Sequence, residues 1–307
     1  MDEIRKHYLA QLVRINSGGK PVPFSSNSAT NVKVCSFQNR KYAHTIPWYK
    51  GLEGVYTAGH DLGFLKNIIV HGSFGDGSYC DYSDLDLTLV LDQDGWTEEK
   101  SKAFSRWNKK VIFPFLVQVD PLQHHGAFLI WDDLVQNYSE SILPFDSYHE
   151  KRSWSFVSQE ILFRYTPVIP GGDLSLNCCR AVANSKNTFF KYGYSPYQVK
   201  RFLSNLMLIP AFYFSDLGNP VFKADSFEPF YREFGTLSSP ILRASELRQE
   251  WKGASTLNRF AAHLTCRNYT SFRIAQNIFN SKLVEEVKTI STQAQHLLEA
   301  LECRLNS

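Results

Sequence analysis

The chain has 307 residues, of which 43% are hydrophobic, 14% aromatic and 21% charged, and its formal net charge is +3. So much apolar content with so little net charge excludes intrinsic disorder over most of the length and supplies a core for one large domain or two ordinary ones. The longest uncharged apolar run, around residues 206–214, is broken by Pro210 and falls far short of the ~20 residues of a membrane span, so no membrane partner is expected.

In chain order, Ile4, Tyr8, Leu9, Leu12 and Val13 recur at three- and four-residue spacing, which predicts a short amphipathic helix over residues 3–14. Ser17-Gly18-Gly19 opens a polar stretch to Asn31 that reads as an irregular arm. Asn67 to His71 is a short β-branched strand, ended by the glycine-rich run from Gly72 to Gly77. Leu85 to Leu91 follows as a second strand with strict alternation. Thr97 to Lys110 is predicted helical, with Thr97 as N-cap and Glu98 and Glu99 in the first turn. Phe115 to Val119 and Ala127 to Trp131 read as further strands, separated by Asp120-Pro121 and a turn at Gly126. Beyond Pro170-Gly171-Gly172 strand signals become scarce, and residues 174–192, 196–215, 241–252, 255–268 and 280–304 carry helix-period apolar positions. The expected organisation is an N-terminal helix and arm over residues 1–50, an α/β (α+β) core with a mixed sheet over 51–170, and an α-helical domain over 171–307.

The chemistry is concentrated in Gly72-Ser73, ten further residues, and Asp84-Leu85-Asp86-Leu87. Residues two apart on a strand point to one face, so the Asp84 and Asp86 carboxylates project together while Leu85, Leu87, Leu89 and Leu91 face a core. Two carboxylates that close repel unless a cation sits between them. A hard divalent cation such as Mg²⁺ answers that need and tolerates phosphates among its ligands. The Gly72-Ser73 turn lets a triphosphate approach the backbone, and the serine hydroxyl adds a donor. The dinucleotide-binding glycine pattern, the Gly-x-Ser-x-Gly elbow and a Walker-type Gly-Lys-Thr/Ser are all absent.

Gly72-Ser73 with Gly77-Ser78, followed by Ser83-Asp84-Leu85-Asp86-Leu87, resembles the signature of the DNA polymerase beta-type nucleotidyltransferase superfamily. The form is similar to that of nucleotide second-messenger synthases, poly(A) polymerases and aminoglycoside nucleotidyltransferases. The resemblance covers residues of about 60–135 directly and implies a nucleotidyltransferase core followed by a helical domain. It implies two Mg²⁺ (or Mn²⁺) ions, bridged by Asp84 and Asp86, with a third carboxylate holding the acceptor-side metal. Asp120, after the Phe115–Val119 run, is the first candidate for that carboxylate, and Asp132 and Asp133 are competitors. Gly72 and Ser73 would bind the nucleotide. The implied reaction transfers a nucleoside monophosphate from a nucleoside triphosphate to an acceptor hydroxyl and releases pyrophosphate. The acceptor could be a nucleic-acid strand, a second nucleotide, a tRNA end, a small molecule or a protein hydroxyl. The messenger-synthase likeness inclines towards a nucleotide or oligonucleotide product and fits a role in anti-phage signalling.

His124-His125 lies close enough to Asp120 to border the site, where a histidine contacts the acceptor or relays a proton, or is simply a surface turn residue. Arg180, Asn184, Asn187 and Lys191 recur on one helix face, which would hold the triphosphate tail or is merely solvated. Residues 1–150 carry 14 Lys+Arg against 18 Asp+Glu, a net of −4, leaving 19 against 12, a net of +7, for the rest. That split suits cations on one wall of a cleft and phosphates on the other, so Arg180 and Lys191 are candidate nucleotide-binding residues. The six cysteines show no Cys-x-x-Cys pair and charge begins at Asp2, so free thiols, no secretory signal and a cytoplasmic location are expected.

Overall fold

Leucine at positions 85, 87, 89 and 91 with Asp86, Thr88 and Val90 between them dictates a strand with two distinct faces, and a sheet is built around it. The structure is a computed structural model that describes residues 30–36, 48–120, 122–123, 125–138, 143, 145–157, 160–165, 173–192, 194, 196–217, 219, 221–251 and 281–305. The chain divides into two units, Met1–Val168 and Ile169–Ser307. The expected helix over 3–14, most of the arm, the junction at 170–172 and the segment 255–268 lie outside the described residues.

The first unit holds a six-stranded mixed sheet. In chain order its elements are β1 (Thr30–Ser36), α1 (Tyr49–Asp61), β2 (Leu65–His71), a single helical turn α2 (Gly72–Asp76), β3 (Asp86–Leu91), α3 (Glu98–Trp107), a π-turn (Asn108–Ile112), α4 (Phe113–Val119), β4 (Phe128–Trp131), β5 (Trp154–Ser155) and β6 (Ile161–Tyr165). The strand order is β4-β3-β2-β5-β1-β6. β2 and β3 are antiparallel, with His71 opposite Asp86, and β3 and β4 are parallel, with Thr88 opposite Phe128. The two-residue β5 joins this half of the sheet to the antiparallel pair of β1 and β6.

Both faces are covered. Leu85, Leu87, Leu89 and Leu91 pack with Ile68, Val70, Leu129 and Trp131 against Leu52 and Val55 of α1, Phe104 and Trp107 of α3, and Phe115 and Leu116 of α4. On the other face Ile69, Val90 and Ile130 pack with Val34, Phe163, Tyr138 and Tyr148. Each large side chain so buried contributes about 1.5–3 kcal/mol, so the sheet is held from both sides.

Residues 113–119 are helical, which corrects the strand expected there. Buried Phe104 and Trp107 are three apart, and Ile112, Phe115 and Leu116 continue at three and four, but the step from Trp107 to Ile112 is five. The π-turn supplies the extra residue and keeps all of them on one face. Pro114 directly follows the π-turn within a run that is helical from Glu98 to Val119, and its missing N–H takes one bond from that run. Thr97 caps α3 as expected, its Oγ1 accepting from the Lys100 N–H at 3.1 Å.

The described elements of the second unit are α5 (Asp173–Tyr192), α6 (Pro196–Asp216), α7 (Lys223–Phe234), α8 (Ser239–Glu250) and α9 (Ser281–Leu305), with a 3₁₀ turn at Gly235–Ser238. Buried Val199, Phe202, Leu203, Leu206 and Met207 on α6 and Val287, Ile290, Ala294, Leu297 and Leu301 on α9 follow the helical period. Arg243 ties α8 to α9, donating to Glu286 at 2.7 Å. Among the described residues no helix is long and apolar enough to cross a membrane.

Candidate functional site

β2 delivers His71 to the end of the sheet, and the chain turns at once into α2. Gly72 makes the turn with φ of +63°, a conformation that strains any residue with a Cβ. A Cβ there would stand 2.2 Å from Oδ2 of Asp86. The bare face of Gly72 is therefore filled by a carboxylate, which gives this glycine a different reason from the phosphate access expected of it. Gly75 is equally constrained, since its Cβ would meet the Arg152 carbonyl oxygen at 2.1 Å. Ser73, on the same turn, is half-buried.

Asp84 and Asp86 come to one face at the start of β3, and His125 reaches them from the loop that leads into β4. His125 Nε2 lies 3.0 Å from Asp84 Oδ2 and 3.1 Å from Asp86 Oδ1. Asp84, Asp86 and His125 offer three ligand atoms within 4.8 Å of one another, the one such group of a possible metal site among the described residues. Burial alone would lower the His125 pKa, but its hydrogen bonds to Asp84 and Asp86 outweigh that and hold it well above the ordinary 6.5. The other ring nitrogen, Nδ1, is 2.9 Å from the Gly126 carbonyl oxygen. A carbonyl only accepts, so Nδ1 carries a proton and Nε2 is the nitrogen left to face the carboxylates.

The loop is fixed from within. Gln123, buried to 2% exposure, accepts from the Leu85 N–H at 3.1 Å through Oε1 and donates to the Leu85 carbonyl at 3.3 Å. The same Nε2 also donates to the His125 carbonyl at 3.2 Å. One carboxamide thus grips the main chain between the two aspartates and the main chain of the histidine that meets them. Behind the carboxylates, His71 Nε2 is 3.0 Å from Thr88 Oγ1, which is 3.1 Å from the Tyr148 hydroxyl. Burial pushes the His71 pKa down to about 4, Asp86 opposing and His125 adding to the shift, and it raises Tyr148 to about 12. The Phe128 ring packs against both histidines, 5.6 Å from His71 and 5.3 Å from His125.

Asp84 and Asp86 are brought together, as their spacing implied. Asp120 is not a member of the ligand group. It ends a helix rather than a strand, and its Oδ1 accepts from the Leu122 N–H at 2.9 Å. Asp132 follows the far end of β4 and pairs with Lys66 at 3.1 Å. The length of a strand of this size, roughly 15–20 Å, separates it from Asp84 and Asp86, and Asp133 beside it is exposed. His124 lies outside the described residues. Arg180, Asn184 and Asn187 are exposed on α5, where Arg180 donates to Asn177 at 3.0 Å, and Lys191 stands in the last turn of that helix.

The sequence reading missed Gln123 and the Thr88–Tyr148 pair. Nothing local marks them: Thr88 sits in a strand it suits, and Gln123 acquires its role only when the loop folds over Leu85. Comparison of the chain with protein families, with curated proteins and with solved structures finds no match.

Proposed function

We propose that the chain is a metal-dependent nucleotidyltransferase of the DNA polymerase beta type, joining a nucleoside monophosphate to an acceptor hydroxyl with release of pyrophosphate. The observation that carries this reading is the meeting of Asp84 and Asp86 over Gly72, at the point where β2 turns through Gly72-Ser73. The donor set fits a divalent cation, because two carboxylate oxygens and an imidazole nitrogen converge from two strands' ends. A cation bound there would supply charge neutralisation to the reacting phosphoryl group and would acidify the acceptor hydroxyl. Asp84 and Asp86 would hold and orient it, the Ser73 hydroxyl would meet phosphate oxygens, and Gly72 keeps the Asp86 carboxylate against the turn. The product is a nucleotide or oligonucleotide. The test is incubation with each of the eight common triphosphates and Mg²⁺ or Mn²⁺, followed by mass spectrometry of small products and of the protein. Nucleotide incorporation that disappears in the Asp84→Asn/Asp86→Asn variant supports the reading, and incorporation that persists in it overturns the reading.

One observation favours a second reading, a catalytically silent module that binds nucleotide or a partner protein. A protonated His125 lies between the two carboxylates and could neutralise them without metal. Calorimetry separates the two: a silent module binds triphosphate with no pyrophosphate release even in excess metal.

A further inference from the structure

We infer that His125 is the third ligand of a single cation site with Asp84 and Asp86, and that this site selects a first-row transition-metal ion such as Mn²⁺ or Zn²⁺ over Mg²⁺. The inference deepens the metal-dependent reading above and rests on it for the use to which the ion is put.

The spacing of the donors is the first support. Metal–ligand bonds of ~2.1 Å place neighbouring ligands of an octahedral ion about 3.0 Å apart. The Nε2 to Oδ separations of 3.0 and 3.1 Å, which without an ion are the contacts of a protonated His125, let a cation replace the Nε2 proton with little movement of the ligands. The second is the state of the imidazole. Histidines that ligate metals commonly donate the other ring N–H to a backbone carbonyl, which fixes the tautomer and aims the lone pair. His125 does this through Nδ1 to Gly126. The third is support from behind the first layer. Gln123 holds the His125 carbonyl and both sides of Leu85, so three ligands from two chain segments share one anchor.

Selectivity follows from the donor set. Mg²⁺ takes oxygen ligands almost exclusively, whereas an imidazole nitrogen beside carboxylates suits Mn²⁺ and Zn²⁺. Asp120, the carboxylate that the family resemblance favours for the third position, accepts from the Leu122 N–H through Oδ1 and is not among the atoms that converge with those of Asp84 and Asp86. The three converging atoms form an N,O,O set for one cation.

The full chain, stripped with chelator and loaded with Mn²⁺, gives the test by pulsed electron paramagnetic resonance. A bound Mn²⁺ with a directly coordinated imidazole shows ¹⁴N modulation, expected in the wild type and absent from His125→Asp. Competition should need at least tenfold more Mg²⁺ than Mn²⁺ for half-occupancy in the wild type, and that gap should narrow in His125→Asp. The wild-type spectrum alone is decisive if the variant misfolds. Mn²⁺ bound without ¹⁴N modulation, equal competition by Mg²⁺, or no Mn²⁺ bound by folded wild-type protein would each overturn the inference. The two proposals fail separately. A ¹⁴N-coupled site with no nucleotide product keeps the ligand set and removes the transferase, while a product without ¹⁴N coupling does the reverse.

Discussion

Gly72 and Asp86 occupy each other's space: the carboxylate lies where the side chain of residue 72 would begin, 2.2 Å from the ideal Cβ position. Alanine at 72 would add about 1–2 kcal/mol of left-handed backbone strain and would also push Asp86 away from Asp84 and His125. Gly72→Ala is therefore expected to destabilise the first unit by roughly 1–3 kcal/mol and to weaken Mn²⁺ binding more than tenfold. Urea midpoints and a Mn²⁺ titration read the two effects. Intact ion binding would show that the Asp86 carboxylate does not depend on Gly72.

Gln123 is expected to matter far more than a loop glutamine usually does. Gln123→Leu keeps the volume but leaves the Leu85 N–H and carbonyl without the carboxamide that meets them. Each buried backbone group so stranded costs about 1–3 kcal/mol, so a loss of roughly 2–4 kcal/mol is expected by chemical denaturation. His125 should also lose its fixed position, and ion affinity should fall in protein that remains folded. A variant of wild-type stability would show that water replaces the carboxamide at no cost.

Proton linkage gives the third prediction, for chelator-treated protein. The His71 pKa is about 4 when folded, against the ordinary histidine value of 6.5. A depressed pKa contributes stability that is present above 6.5 and lost as pH falls towards 4, about 3 kcal/mol in all. The raised His125 pKa acts in the opposite sense: its contribution is present below 6.5 and fades as pH rises through the folded value. The two together place a stability maximum near 6.5. His71→Gln, whose amide can still meet Thr88, should flatten the acid limb and leave the alkaline limb unchanged. An acid limb identical in the two proteins would remove His71 as its cause.

The strand carrying Asp84 and Asp86 was legible because alternation over Leu85–Leu91 is a two-residue period that only a strand satisfies, and all four leucines are buried. The cap at Thr97 was legible because its chemistry is local. Phe115–Val119 was not, since five residues, four of them apolar, carry no period of their own and the π-turn shifts the phase that would have joined them to α3. Helix α1 was hidden by its glycines. Gly51 and Gly59 weaken helix propensity, yet their missing side chains admit Phe115, Leu65 and Trp107 to within 2.5–2.8 Å of the ideal Cβ positions. The histidine beside the two carboxylates escaped the sequence for a related reason. The distance in sequence from Asp86 to Asp120 cannot reveal that the intervening segment ends as a helix, so that the following loop, rather than its first residue, arrives at the carboxylates.

That difference makes Asp120 the most direct test of the site. Its Oδ1 accepts the Leu122 N–H, a turn bond inside a nearly buried loop. Asp120→Asn keeps an oxygen in that place and removes the charge, so it should preserve the loop and leave Mn²⁺ affinity within about threefold of wild type, well under the tenfold that 1.4 kcal/mol represents. Asp120→Ala removes the acceptor and should destabilise by about 0.5–2 kcal/mol, as the loss of a capping side chain does. Asp84→Asn, by contrast, removes an anionic ligand and should abolish ion binding; in chelator it also removes one of the two carboxylates paired with His125, so a modest loss of stability is expected below pH 6.5. The measurement is a Mn²⁺ titration of all three variants beside thermal unfolding in chelator. Equal loss of ion affinity in Asp120→Asn and Asp84→Asn would return Asp120 to the ligand set and restore a three-carboxylate site.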